Sequence, residues 1–226
     1  MNGNDLPTVS SYKHLGIIMQ NDGKWNINTE DITSKAKRRI DIISDLKYKL
    51  DRDSLIKLYI AYVRPLIEYG CQVWCNISEG DKEAIENIQI KAARVALGVK
   101  KGTSPELMYS ELGWLPLETR RNQQKLCMLF KILNDKAPKL LKMLKPKAIS
   151  RRNSYNTRNT ADLDPPKCKT EQYSKSFFPS TIKLWNQLPR DLKETIMSAD
   201  TFKHRIKPEK KVITHISALA TEKRTF

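Results

Sequence analysis

Between Asp53 and Ile67 the residues Leu55, Ile56, Leu58, Tyr59, Ile60, Tyr62, Val63, Leu66 and Ile67 leave almost no polar face. A helix that is apolar nearly all round is predicted to lie at the centre of a bundle, under other helices. Pro65 removes one of its hydrogen bonds and predicts a kink, and Gly70 is its predicted stop. Asp51-Arg52-Asp53 stands at its start, where a carboxylate reads as an N-cap.

The flanking sequence supplies the covering helices. From Asn28 or Thr29, with Glu30 and Asp31 in an acidic first turn, Ile32, Ala36, Ile40, Ile43, Leu46 and Leu50 recur at helical spacing over about twenty residues. Arg39 falls close to that apolar stripe and must snorkel or find a buried partner. Further helices are predicted over Asp81–Leu97 with Gly98 as stop, Ser104–Leu112, Leu117–Leu133 and Ala137–Leu144. Ser176–Leu188 and a serine-capped Ser198–Lys207 complete the set. Ahead of them all, Tyr12–Met19 is β-prone, and Gln20-Asn21-Asp22-Gly23 is the predicted turn of a small hairpin ending near Trp25. With 39% hydrophobic residues and only 8 glycines in 226, the expected class is mainly α: a short N-terminal β-hairpin, a helical bundle and a smaller helical C-terminal region. The expected divisions are 1–27 for the hairpin, 28–144 for the bundle, 145–175 for a basic irregular linker, 176–207 for the C-terminal helices and 208–226 for a disordered tail.

Lys and Arg total 41 against 25 Asp and Glu, a net charge of +16 that calls for a polyanionic partner, most commonly nucleic acid. From Leu117 to Arg158 twelve basic residues face only Glu118 and Asp135. Arg120, Arg121, Lys125, Arg151, Arg152 and Arg158 are the candidate phosphate contacts of that stretch. On the earlier helix the candidates are Lys35, Lys37, Arg38, Arg39 and Lys49, although Asp41 and Asp45 interleave with them. Trp74, Trp114 and Trp185 sit beside apolar helical positions and read as core before they read as base-stacking platforms. Cys71, Cys75, Cys127 and Cys168 are too scattered for a zinc site and read as reduced thiols. Met1–Ser11 contains no apolar run and no stretch reaches the length of a membrane span, so a nuclear or cytoplasmic, non-secreted protein is expected. No paired carboxylates, glycine-rich phosphate loop or nucleophile elbow appears, so no metal, cofactor or catalytic residue is expected.

Several short segments, in order, resemble one family. Tyr12-Lys13-His14-Leu15-Gly16, Leu58–Gly70 with Val73-Trp74, Ile85–Gln89 before Ala92-Ala93-Arg94, and Leu112–Glu118 with Arg120-Arg121 are similar to the C-terminal part of the reverse transcriptase of non-LTR (LINE-class, jockey-like) retrotransposons. The likeness continues through Lys131-Ile132-Leu133, Tyr155–Arg158, Ser176-Phe177-Phe178 with Trp185–Pro189, and Thr201-Phe202-Lys203. The resemblance implies that Leu15-Gly16 marks a primer-grip hairpin and that the following helices form a thumb, with Lys35, Lys37, Arg38 and Arg39 along a template-primer duplex. It also implies a parent enzyme that uses magnesium at an Asp-Asp motif in its palm. That motif should precede Tyr12 and is absent, so the chain is expected not to polymerise DNA by itself and to bind template-primer nucleic acid non-specifically. The alternatives are a structural remnant without activity, or a thumb supplied in trans to a polymerase. The sequence leaves the oligomeric state open.

Overall fold

The computed structural model describes residues 9–148, 162–194 and 197–207. The protein is mainly helical, with one two-stranded antiparallel hairpin at its N-terminal end. Two compact units divide it, Met1–Glu118 and Thr119–Phe226.

In the first unit, β1 (Ser11–His14) pairs with β2 (Ile17–Gln20) in the register Ser11 to Gln20 and His14 to Ile17. The hairpin therefore turns at Leu15-Gly16, inside the predicted β run, and not at Gln20–Gly23. Both turn residues have positive φ, +46° and +86°, the geometry that matches the twist of a two-residue hairpin. The sequence Asn21-Asp22-Gly23 does form a turn, but one that leads from β2 towards the first helix, with Gly23 N donating to Gln20 O and Lys24 N to Asp22 Oδ1.

That helix, α1 (Asn26–Asp45), begins before its predicted start because its first turn is capped from a distance. Gln20 Oε1 accepts from Ile27 N at 3.1 Å and Gln20 Nε2 donates to Asn26 Oδ1 at 3.0 Å. A side chain of β2 thus satisfies an N–H that local sequence leaves orphaned. Asn28, fully buried, ties the helix back to the hairpin by accepting from Ile18 N. Ile32, Ala36, Ile40 and Ile43 face the core, and the last predicted turn tightens into a 3₁₀ segment over Leu46–Tyr48.

The apolar central helix is α2 (Arg52–Leu58), a π-helical stretch over Tyr59–Val63, and α3 (Arg64–Glu68). Asp51 caps α2 by accepting from Ser54 N at 2.9 Å, and these hydrogen bonds hold its carboxyl below the usual aspartate range. The widened stretch just ahead of Pro65 is how the chain absorbs the missing N–H and the crowding of the proline ring. The helix is not enclosed as predicted. Leu55, Tyr59, Val63 and Ile67 form one buried line, while Ile60 and Tyr62 remain exposed.

Around that line pack α1, α4 (Glu79–Leu97) and α5 (Pro105–Leu112). Ser78 caps α4 and Gly98 ends it in the left-handed region. Buried Gln89 of α4 accepts from Tyr59 OH at 2.9 Å and donates to Leu115 O at 2.9 Å. Beside it, Glu86 accepts from Tyr109 OH and from Leu117 N. Burial pushes the hydroxyls of Tyr59 and Tyr109 far above the ordinary tyrosine range, so both remain donors. The Tyr59 ring stacks on Trp114, with the Arg64 guanidinium over both.

The second unit contains nearly all of α6 (Leu117–Leu133), with α7 (Lys139–Met143), α8 (Glu171–Lys175), α9 (Phe177–Asn186), α10 (Arg190–Glu194) and α11 (Ala199–Arg205). Leu126, Leu129, Phe130, Ile182, Trp185 and Phe202 make its core, where the Phe130 and Phe202 rings stack 4.3 Å apart. Part of the stretch expected to be an irregular linker is built into this core. Leu163 is buried, and its backbone N–H and C=O are both held by the Asn186 side chain at 2.9 Å. Lys193, its side chain almost wholly buried, bonds Asp162 at 2.7 Å and Asn186 O at 2.8 Å. The predicted tail 208–226 lies outside the described residues.

Three substitutions test these packing arguments by urea denaturation of the full chain. Gly70 has φ +60°, and a Cβ there would lie 2.6 Å from Ile17 Cδ1, so Gly70→Ala is expected to cost about 1–2 kcal/mol from backbone strain, with the clash in addition. Gln89→Leu is expected to cost about 1–3 kcal/mol by removing the acceptor of the buried Tyr59 O–H and the side-chain donor to the Leu115 carbonyl, and adding Tyr59→Phe should restore part of that stability. Lys193→Met, which strands Asp162, is expected to cost about 3–5 kcal/mol.

Candidate nucleic-acid interface

The hairpin tip is held by the segment that follows α3. Tyr69 OH donates to Leu15 O at 3.0 Å, and the position of a Cβ on Gly16 would meet the Tyr69 ring at 3.7 Å. Leu15 itself projects outward, 76% exposed, in the left-handed conformation that a leucine seldom adopts. Two separated sequence segments, Leu15-Gly16 and Tyr69-Gly70, are therefore one local structure. Tyr12, Met19, Tyr69 and Val73 are also exposed, giving the first unit an apolar surface at and near the hairpin.

The basic residues of α1 divide into two groups. Lys35 is ion-paired with Asp31 one turn earlier. Arg39 finds the partner its position demands: its guanidinium donates to Tyr62 O and lies 4.3 Å from the Tyr62 ring centroid. It clamps α1 to the π-helical stretch, as an arginine caught beside an apolar stripe must. Lys37 and Arg38 are exposed and make no ion pair or hydrogen bond among the described residues. Lys49, exposed in the turn beyond α1, is equally open. Asp41 is neutralised from across the helix pair by Lys91 of α4.

The second unit departs further from the sequence reading. Arg121 and Lys125 are only 7% and 8% exposed, and Lys125 Nζ donates to Ser180 Oγ at 3.3 Å. Neither lies on a solvent-facing helical surface, because the apolar side of α6 that carries Leu126, Leu129 and Phe130 takes them in. Arg120 is half-buried. Arg151, Arg152 and Arg158 lie outside the described residues, as does Tyr155.

Basic residues that sequence reasoning missed lie on and just after α4. Lys91, Arg94 and Lys101 border a cleft between α1 and α4 that Lys37 and Ile40 close from the other side. The signal was present in the helical spacing of Lys91 and Arg94, but Glu79, Asp81, Glu83 and Glu86 make α4 as a whole nearly neutral and hide a basic C-terminal half. At the acidic end, burial works against the charge of Lys82, yet its hydrogen bonds to Glu79 and Glu118 hold its ammonium above the ordinary lysine range.

Trp74, Trp114 and Trp185 are all buried, so the tryptophans serve the cores. All four cysteines are free thiols, and among the described residues no group of His, Cys, Asp and Glu is placed to hold a metal ion. Among those residues, too, no helix is long and apolar enough to cross a membrane. No protein-family profile, curated protein or solved structure matches the chain.

Burial separates decorative charge from available charge in a measurable way. Lys125→Met is expected to leave affinity for a DNA or RNA duplex, and its salt dependence, unchanged in a fluorescence anisotropy titration. A drop in either would place Lys125 at the interface.

Proposed function

We propose that the chain binds nucleic acid without sequence preference, through phosphates, and that it is a relative of the thumb region of non-LTR retrotransposon reverse transcriptases. The observation that carries this reading is the adjacent pair Lys37 and Arg38: two exposed cations without an ion pair among the described residues, in a helix whose other two cations, Lys35 and Arg39, are held by Asp31 and Tyr62. The chain's +16 charge supports a polyanionic ligand, and the resemblance supports a template-primer as that ligand. In this reading the chain contributes binding and no polymerase chemistry of its own. Its place is the nucleus or cytoplasm, where such a ligand is met. Magnesium belongs to the catalytic palm of the parent enzyme.

The exposed apolar surface at the hairpin favours a second reading, in which the chain is a structural remnant whose hairpin face is normally covered by another domain. Concentration-dependent self-association and strong binding of a hydrophobic dye, without nucleic-acid binding at low salt, are the results expected of a remnant.

For the first reading, the double substitution Lys37→Glu with Arg38→Glu is expected to lower duplex affinity at least tenfold. It should also flatten the plot of log affinity against log salt by about 0.9 for each phosphate that is no longer neutralised. Unchanged affinity and slope would remove α1 from the interface.

A further inference from the structure

Two adjoining cavities of about 450 and 420 Å³ lie along the line where α1 and α4 pack. Lys37 and Ala84 border both, so the two form one continuous trough. Its two ends differ in charge. Near the start of α4 it is bordered by Glu30 and Asp81, whereas its other half carries Lys37, Arg94 and Lys101. The one acid in that half, Asp41, is already taken by Lys91 at 2.5 Å. Arg94 is half-buried in the wall, makes no ion pair or hydrogen bond among the described residues, and holds its Nε–H inside without an acceptor. A buried N–H without an acceptor is costly, and an anion at the mouth of the cleft would complete it while meeting the outer nitrogens of the same half-buried group. A phosphate matches its fork of donors better than any single carbonyl can.

We propose that this trough holds a single strand of nucleic acid by its phosphodiester backbone, with Arg94 and Lys101 as phosphate contacts beside Lys37. The inference rests on the nucleic-acid reading above and adds to it a strand type and two residues. The dimensions favour one strand. Packed helices lie about 8–10 Å apart, so the trough between them is narrow, while α4 from Ala84 to Arg94 gives its basic half a length of about 15 Å. A duplex can rest on the exposed face of α1 but cannot enter the trough. Ile40 and Ile88 line the basic half, whereas the other half is lined by Thr29, Thr33 and Ser34.

The test is fluorescence anisotropy of the full chain with a labelled 20-nucleotide single strand and a duplex of the same length, titrated across salt. The variants are Arg94→Gln, Arg94→Lys, Lys101→Glu and, as a charge control on α9, Lys183→Glu, all checked for helicity by circular dichroism. Arg94→Gln and Lys101→Glu are expected to weaken single-strand binding about three- to tenfold and to lower its salt slope by about 0.7 each, with duplex binding little changed. Arg94→Lys should recover part of the affinity, and Lys183→Glu should match the wild type. Equal weakening for both ligands, or none for either, would overturn the strand assignment while leaving the nucleic-acid reading in place. Tripolyphosphate or polyglutamate displacing the strand at equal charge concentration would overturn it in favour of a general anion site. A wild-type chain that binds neither oligonucleotide at low salt would bring down the parent reading as well. Lys101, exposed beyond the end of α4, keeps the test decisive if an Arg94 variant does not fold.

Discussion

Everything in the first unit converges on one buried amide. Gln89 carries a donor and an acceptor into a predominantly apolar core, and uses them on Tyr59 and on the Leu115 carbonyl. Tyr59 belongs to the π-helical stretch and Leu115 to the link between α5 and α6, so one side chain fixes the register of three parts of the chain. Glu86, a turn earlier, fixes two more points, the Tyr109 hydroxyl and the Leu117 amide. Apolar packing alone tolerates sliding and repacking, whereas a polar group buried in that packing is satisfied in only one arrangement. The stack of Tyr59 on Trp114 and the position of Arg64 over both rings follow from that arrangement.

The elements that are legible in the sequence are those whose ends are marked locally. The bounds of α6 are as predicted, α4 ends at Gly98 as its left-handed cap requires, and Ser198 caps α11. What is not legible depends on contacts distant in sequence. The early start of α1 is owed to Gln20 of β2, and no local rule locates a cap supplied from another element. The hairpin turn falls away from its predicted place because Asn21-Asp22-Gly23 is the stronger turn signal, and a leucine with φ +46° is a conformation that propensity argues against. The apolar composition of the central helix predicts enclosure, but composition does not say which side is covered.

The same limit governs the candidate interface. Formal charge is additive along a sequence, but the charge a ligand meets is what remains after the fold has used its share. Arg39 is spent on Tyr62, Lys35 on Asp31 and Lys125 on Ser180, while Lys37, Arg38, Arg94 and Lys101 are left over. Arg39 alone announces its structural use in advance, by its place beside an apolar stripe. The dense basic stretch after Leu117 promises most, and its described part includes two cations that are buried.

Asn186 grips Leu163 through the main chain, holding both the N–H and the C=O with one carboxamide. Such a grip does not depend on the identity of the residue that is held, yet it requires the holder to be asparagine: aspartate has no donor to give, and glutamine reaches too far. The side chains of this segment answer to other constraints, Leu163 to the apolar core and Asp162 to Lys193, while the path of its backbone is recorded at a distance, in a single asparagine after a buried tryptophan.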